Sequence, residues 1–135
     1  MCVDASLILA WLLGENHGPQ VRALIGQWLE DGTRLFSAAL FFAEVTSVLR
    51  SKVHFGHISE GDGQAALDDF LALAVSPVDA VSLQPLAWQL AKQYNQPRAY
   101  DSQYLAAALN LNCALWTVDE RLAHAVREPW VRLLS

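Results

Sequence analysis

The chain has 135 residues, 53% of them hydrophobic and 17% charged. That suits one domain over residues 1–135 with a buried core, and it excludes a disordered polymer. Nine Lys and Arg against fourteen Asp and Glu give a formal net charge of −5, which excludes a protein that holds nucleic acid mainly through a basic surface. An enzyme that acts on nucleic acid through bound cations stays open.

Two cysteines, Cys2 and Cys113, make no disulfide framework and no zinc-ligand spacing. Both are expected to serve as small core hydrophobes. The longest apolar run, Ala5 to Leu13, is too short for a bilayer, follows an acid and has no basic segment before it. A cytoplasmic protein with reduced thiols and no membrane partner is expected.

Strand and helix signals alternate along the chain. Met1 to Asp4 reads as a short strand, and Ala5 to Leu13 as a buried helix stopped by Gly14. Gly18-Pro19 opens a second helix, with Val21, Leu24, Ile25, Trp28 and Leu29 at helical spacing and Gly32 after it. Arg34 to Ser37 is a strand candidate, Leu40 to Arg50 a helix, and Phe55-Gly56-His57 a turn. Ser59-Glu60-Gly61-Asp62 resembles a capping box that opens a helix through Ala74. A strand follows in Val75 to Val81, interrupted by Pro77, then helices over Leu83 to Tyr94 and Tyr100 to Leu109. Cys113 to Val118, almost continuously apolar, suits a strand covered on both faces. Asp119 to Val126 is a short helix and Trp130 to Leu134 a closing strand. The alternation predicts an α/β fold with a central, mostly parallel sheet, whose sites form beyond the carboxyl ends of strands.

Four acids stand out: Asp4, Glu44, Asp101 and Asp119. Taken singly, Asp4 and Asp119 fit helix caps, and Asp101 fits the positive end of a helix. Glu44 is harder to explain that way, because Leu40 and Val48 flank it four residues to either side on an apolar helix. A carboxylate there is costly unless it snorkels, is paired or binds a metal. Hydrolysis of a phosphodiester calls for such a set. Hard divalent cations prefer carboxylate oxygens, polarise the phosphate and activate water, and they offset the repulsion among the acids. Ser6 and Thr117, each two residues from an acid, offer hydroxyls to orient ligands.

Val3-Asp4-Ala5-Ser6, Ala43-Glu44-Val45, Tyr100-Asp101-Ser102-Gln103-Tyr104-Leu105-Ala106 and Thr117-Val118-Asp119-Glu120-Arg121-Leu122 together resemble the four signature segments of PIN-domain nucleases, in particular the VapC-type toxins of bacterial toxin–antitoxin pairs. The resemblance covers nearly the whole chain. It implies a three-layer α/β/α PIN-like domain with a central, mostly parallel sheet of about five strands. It implies a ribonuclease dependent on Mg²⁺ or Mn²⁺, with Asp4, Glu44, Asp101 and Asp119 as metal-binding and catalytic acids. It further implies a homodimer and a small VapB-like antitoxin that blocks the site. Two departures stand out: only three residues precede Asp4, where the family carries a fuller first strand, and Ser47 stands where relatives often have Asn.

On this reading Asp4, Glu44 and Asp101 hold the main cation, and Asp119 helps to hold a second or positions the attacking water. Arg50, Lys52, Arg98 and Arg121 are the candidate RNA contacts near the mouth. The four histidines are assigned to structure or solvent, and the five tryptophans to core or interface packing rather than base stacking. Trp11, Leu12, Leu13, Trp28 and Leu29 exceed what one buried stripe needs and predict a groove for a partner. The competing readings are a catalytically silent binding module on the same fold, and a phosphoryl-transfer or receiver-type domain. The second lacks a lysine after a predicted strand, and neither GxGxxG nor GxxxxGK[ST] occurs.

Overall fold

Among the described residues five strands form one sheet in the order β3-β2-β1-β4-β5, and every neighbouring pair is parallel. They are β1 (Cys2–Val3), β2 (Phe36–Ala38), β3 (Ser76–Val78), β4 (Leu115–Thr117) and β5 (Val131–Leu133). The computed structural model describes residues 1–15 and 17–135. Seven helices accompany the strands among the described residues: α1 (Ala5–Leu13), α2 (Gly18–Glu30), α3 (Leu40–His54), α4 (Glu60–Ala72), α5 (Gln84–Gln93), α6 (Asp101–Asn110) and α7 (Glu120–Val126).

The local chemistry explains several boundaries. Asp4 is extended and its Oδ1 accepts from the Leu7 N–H at 3.0 Å, so it caps α1. Gly14 closes that helix at φ +70°, a left-handed conformation that disfavours any side chain. Pro19 sits in the first turn of α2. Ser59 Oγ accepts from the Asp62 N–H at 3.0 Å and starts α4. The strand at Ser76–Val78 runs through Pro77 rather than breaking there. Its place at the sheet edge makes this possible, because only one side of the strand needs donors.

The order of strands fixes the layers. The chain steps from β1 to β2 to β3 in one direction, then returns across the sheet to β4 and β5. Right-handed crossovers therefore set α1 to α4 on one face and α5 to α7 on the other. In keeping with this, α1 packs against α2, α3 and α4, while α5 packs against α6, which covers β1, β2 and β4. The result is a three-layer α/β/α fold. Fully buried Leu7, Ile8, Ile25, Phe41, Leu105 and Leu115 fill the space between layers. Cys2 is also fully buried, and burial pushes its thiol up to about 12, so it packs as a hydrophobe. Cys113 is half-buried.

Of the five apolar residues on the first two helices, Trp28 is interior and meets Trp116 edge-on at 5.6 Å between ring centroids. Trp11, Leu12 and Leu13 are partly covered by the core, and Leu29 is exposed. No helix is long and apolar enough to cross a membrane among the described residues.

Candidate active site

The strand order reverses between β1 and β4, and in open parallel sheets ligands bind at such a switch point, beyond the carboxyl ends of the strands. Asp4 directly follows β1, and Asp119 lies two residues past β4. Two helices bring the other acids. Glu44 lies in the second turn of α3, which follows β2, and Asp101 is the first residue of α6.

Asp4 is 4% exposed and is surrounded by donors. Its Oδ1 accepts from the Ser6 hydroxyl at 2.7 Å and the Leu7 N–H at 3.0 Å. Its Oδ2 accepts a very short hydrogen bond from the Thr117 hydroxyl. The two hydroxyls stand 3.1 Å apart and also receive the chain beyond β4. The Asp119 N–H donates to Thr117 Oγ1 at 2.9 Å, and the Val118 N–H to Ser6 Oγ at 3.2 Å. Ser6 and Thr117 thus tie the ends of β1 and β4 into one network. Burial nevertheless dominates and pushes the Asp4 carboxyl up to about 6, the Thr117, Leu7 and Ser6 donors opposing it and the Asp119 charge adding to it.

Glu44 is half-buried, and its Oε2 accepts from the Tyr104 hydroxyl at 2.9 Å. Burial raises the Glu44 carboxyl above its ordinary range. The Tyr104 hydrogen bond offsets part of this, and the Asp101 charge adds to it. Burial and the Glu44 charge in turn push the Tyr104 phenol upward, so it stays a donor. Tyr104 falls within a signature segment, but the sequence assigns it no role. The available signal was its spacing, three residues after Asp101 on one helix, which puts both on the same side.

The outer acids are handled differently. Asp119 Oδ1 caps α7 through the Leu122 N–H at 3.1 Å. Arg121 Nη2 then reaches Asp101 Oδ2 at 3.0 Å and Asp119 Oδ2 at 3.4 Å. Its guanidinium pKa is raised, first by the hydrogen bond to Asp101, then by the charges of Asp101 and Asp119. Arg121 therefore lies at the mouth beside the acids. Arg98 shares a cleft with Tyr100, Asp101 and Arg121. Arg50 and Lys52 lie further along α3, where Arg50 faces Glu60 at 3.9 Å and Lys52 faces Glu15 at 3.4 Å. Ser47, one turn after Glu44, is exposed.

Among the described residues, no three His, Cys, Asp or Glu side chains are gathered into a ready-made metal cage. The chain's own donors hold the carboxylates instead. The donor set still fits a hard divalent cation, being made of carboxylate oxygens on separate elements around one strand end. Arg121 supplies the structural observation: a positive group already sits between Asp101 and Asp119. Among the described residues the inner acids have only neutral donors, so positive charge is what their burial calls for.

A parallel sheet in this order, with acids at its switch point, defines the class of protein, and the chain belongs to the PIN-domain family, which matches residues 1–128. Within it, the chain is similar to the VapC ribonuclease Mb0985 of Mycobacterium bovis and to ribonuclease VapC9 of Mycobacterium tuberculosis. Each is 36% identical over 121 residues, which cover 90% of this chain and 87% of the relative.

Proposed function

We propose that this chain is a divalent-metal-dependent endoribonuclease that hydrolyses RNA phosphodiester bonds, as the toxin of a toxin–antitoxin pair. The observation that carries the reading is the buried Asp4 at the β1–β4 switch point, held by Ser6, Thr117 and the Leu7 N–H, with Glu44, Asp101 and Asp119 brought to the same end of the sheet. The names of the two relatives support the substrate class.

Asp4, Glu44 and Asp101 are the residues that would hold Mg²⁺ or Mn²⁺, which when bound supplies a Lewis acid for the phosphate and a more acidic water. Asp119 would orient the attacking water or help to hold a second ion. Ser6 and Thr117 fix the rotamer of Asp4, and Tyr104 fixes that of Glu44. Arg121 and Arg98 meet RNA phosphates at the mouth. Arg50 and Lys52 meet only RNA that extends past the Glu44 helix. Their ion pairs are exposed, and such pairs are weak enough to exchange for phosphate. A VapB-like antitoxin, a homodimer and a cytoplasmic location complete the proposal.

The test is cleavage of a panel of structured RNAs with and without Mg²⁺ or Mn²⁺. Cleavage is expected only with the metal, and Asp4→Asn is expected to lower it by more than about 100-fold. Equal inertness of the wild-type chain and Asp4→Asn would favour the silent binding module.

A further inference from the structure

The α5–α6 side of the molecule carries a surface that the four acids do not account for. Trp88 on α5 is 73% exposed and Tyr100, just before α6, is 63% exposed. Lys92 follows Trp88 by one helical turn and so lies on the same face. Two shallow clefts of about 210 Å³ and 370 Å³ meet here. Trp88, Lys92 and Arg98 line the first, and Arg98, Tyr100, Asp101 and Arg121 line the second. They share Arg98, so a continuous track runs from Trp88 to the carboxylates.

Charge and shape select the occupant. Three cations line the track, and its one acid, Asp101, is already paired with Arg121. Among the described residues neither Lys92 nor Arg98 has an acidic partner. A local excess of positive charge on a chain of net charge −5 favours a polyanion. Two exposed aromatic faces between the cations favour a polyanion with flat, unstacked bases. A second copy of the chain fits less well, because a two-fold interface here would bury this patch of excess positive charge against an identical positive patch. The two helices are also locked together. The side-chain amides of Gln84 and Gln103 donate to one another at 3.0 and 2.9 Å, and the Gln103 amide also holds the Ala99 carbonyl at 3.0 Å.

We propose that this track binds single-stranded RNA leading away from the cut site. Trp88 and Tyr100 stack on bases, and Lys92 and Arg98 hold the phosphates between them. The assignment of Trp88 to base stacking reverses the packing role its sequence suggested. The proposal rests on the nuclease reading for the direction of the strand, but binding by the track is measurable without cleavage.

The experiment is titration of the chain with a 12-nucleotide oligouridylate in EDTA, followed by tryptophan fluorescence. Trp88 is the most exposed of the five tryptophans, since Trp28 is buried and Trp11, Trp116 and Trp130 are half-buried. Quenching is expected in the wild-type chain and is expected to be mostly lost in Trp88→Phe. Affinity is expected to fall about 5-fold or more in Trp88→Ala and in Tyr100→Ala. The double change Lys92→Gln, Arg98→Gln is expected to reduce the slope of log affinity against log salt by about 1.4. Equal affinity in all these variants, or no detectable binding by the wild-type chain, overturns the track. So does equal binding of a duplex of the same length without quenching, or a Trp88→Ala change that only converts a dimer to monomer in sedimentation. Cleavage of the RNA panel without oligouridylate quenching rejects the track and keeps the nuclease. Quenching without metal-dependent cleavage keeps the track and rejects the nuclease.

Discussion

The inner and outer halves of the acid cluster are built by different means. Asp4 and Glu44 are buried or half-buried and are positioned by neutral donors: two hydroxyls, a backbone N–H and a phenol. Asp101 and Asp119 lie at the mouth and share one guanidinium whose side chain is 71% exposed. The inner half is therefore preorganised and sensitive to pH, because burial works against its ionised form. The outer half is exchangeable and sensitive to salt, because an exposed ion pair gives way to other charges at little cost. On the proposed nuclease reading, a site that would admit a cation and a phosphate benefits from both: acids fixed at the base and a displaceable positive group at the rim.

The largest expected effect that separates the halves is on the pH dependence of stability. Asp4 has its folded-state carboxyl at about 6 against an ordinary value of 3.8. Between those values the folded chain binds more protons than the unfolded one. Stability contributed by this group is thus lost as the pH rises through that window and regained on acidification, on the order of 3 kcal/mol in all. Urea unfolding without divalent ions is expected to show Asp4→Asn gaining on the wild-type chain between pH 4.5 and pH 7.5. Parallel profiles for the two chains would mean that Asp4 is not held at this cost.

Thr117→Val comes next. It removes the donor to Asp4 Oδ2 and the acceptor of the Asp119 N–H, leaving one buried and one half-buried polar group without those partners. A loss of about 1–3 kcal/mol is expected in chemical denaturation. The acid limb of cleavage is expected to move to higher pH, since the ionised Asp4 loses its largest hydrogen-bonding support. Tyr104→Phe is a milder version on the other inner acid, with about 1 kcal/mol of stability lost. Its cleavage is expected to fall mainly in kcat, because Glu44 stays in place but loses its fixed orientation.

Arg121→Gln is expected to matter least for stability, changing it by less than about 1 kcal/mol. It is expected to tighten Mn²⁺ binding at low salt, as seen by electron paramagnetic resonance, because a competing cation leaves the rim. Unchanged or weaker Mn²⁺ binding would place Arg121 outside the contest for these acids.

Much of this arrangement is legible in the sequence, and the exceptions share one cause. Helix α1 is readable from end to end because its signals are local: a capping Asp4, an apolar run and Gly14. The acids are readable because they sit at strand ends or helix starts, or, for Glu44, on an apolar stripe where a charge is out of place. The strands are less so. Arg34 to Ser37 becomes Phe36–Ala38, and Cys113 to Val118 shortens to Leu115–Thr117, because pairing with neighbours sets where a strand begins. Helix α3 runs past Arg50 to His54, because Val53 continues the face of Leu49 while Ser51 and Lys52 tolerate helix. The bond from Tyr104 to Glu44 spans 60 residues, and Nη2 of Arg121 joins the first residue of α6 to the cap of α7. Helical spacing sets Tyr104 on the side of Asp101, but neither partner is fixed by local sequence. Exposure is equally non-local: Trp88 and Trp28 look alike in sequence, yet one is open to solvent and the other lies in the core.

On the proposed function, Asp4, Glu44 and Asp101 would hold one divalent cation for cutting RNA, with Asp119 beside them to orient water or share a second ion. The most direct measurement is Mn²⁺ binding by electron paramagnetic resonance, run beside RNA cleavage on the same samples of the wild-type chain, Asp4→Asn and Glu44→Gln. Both variants are expected to lose Mn²⁺ binding and cleavage in parallel. Variants that lose cleavage while binding Mn²⁺ as tightly as the wild-type chain, or that cut RNA without binding it, would overturn the role given to these acids.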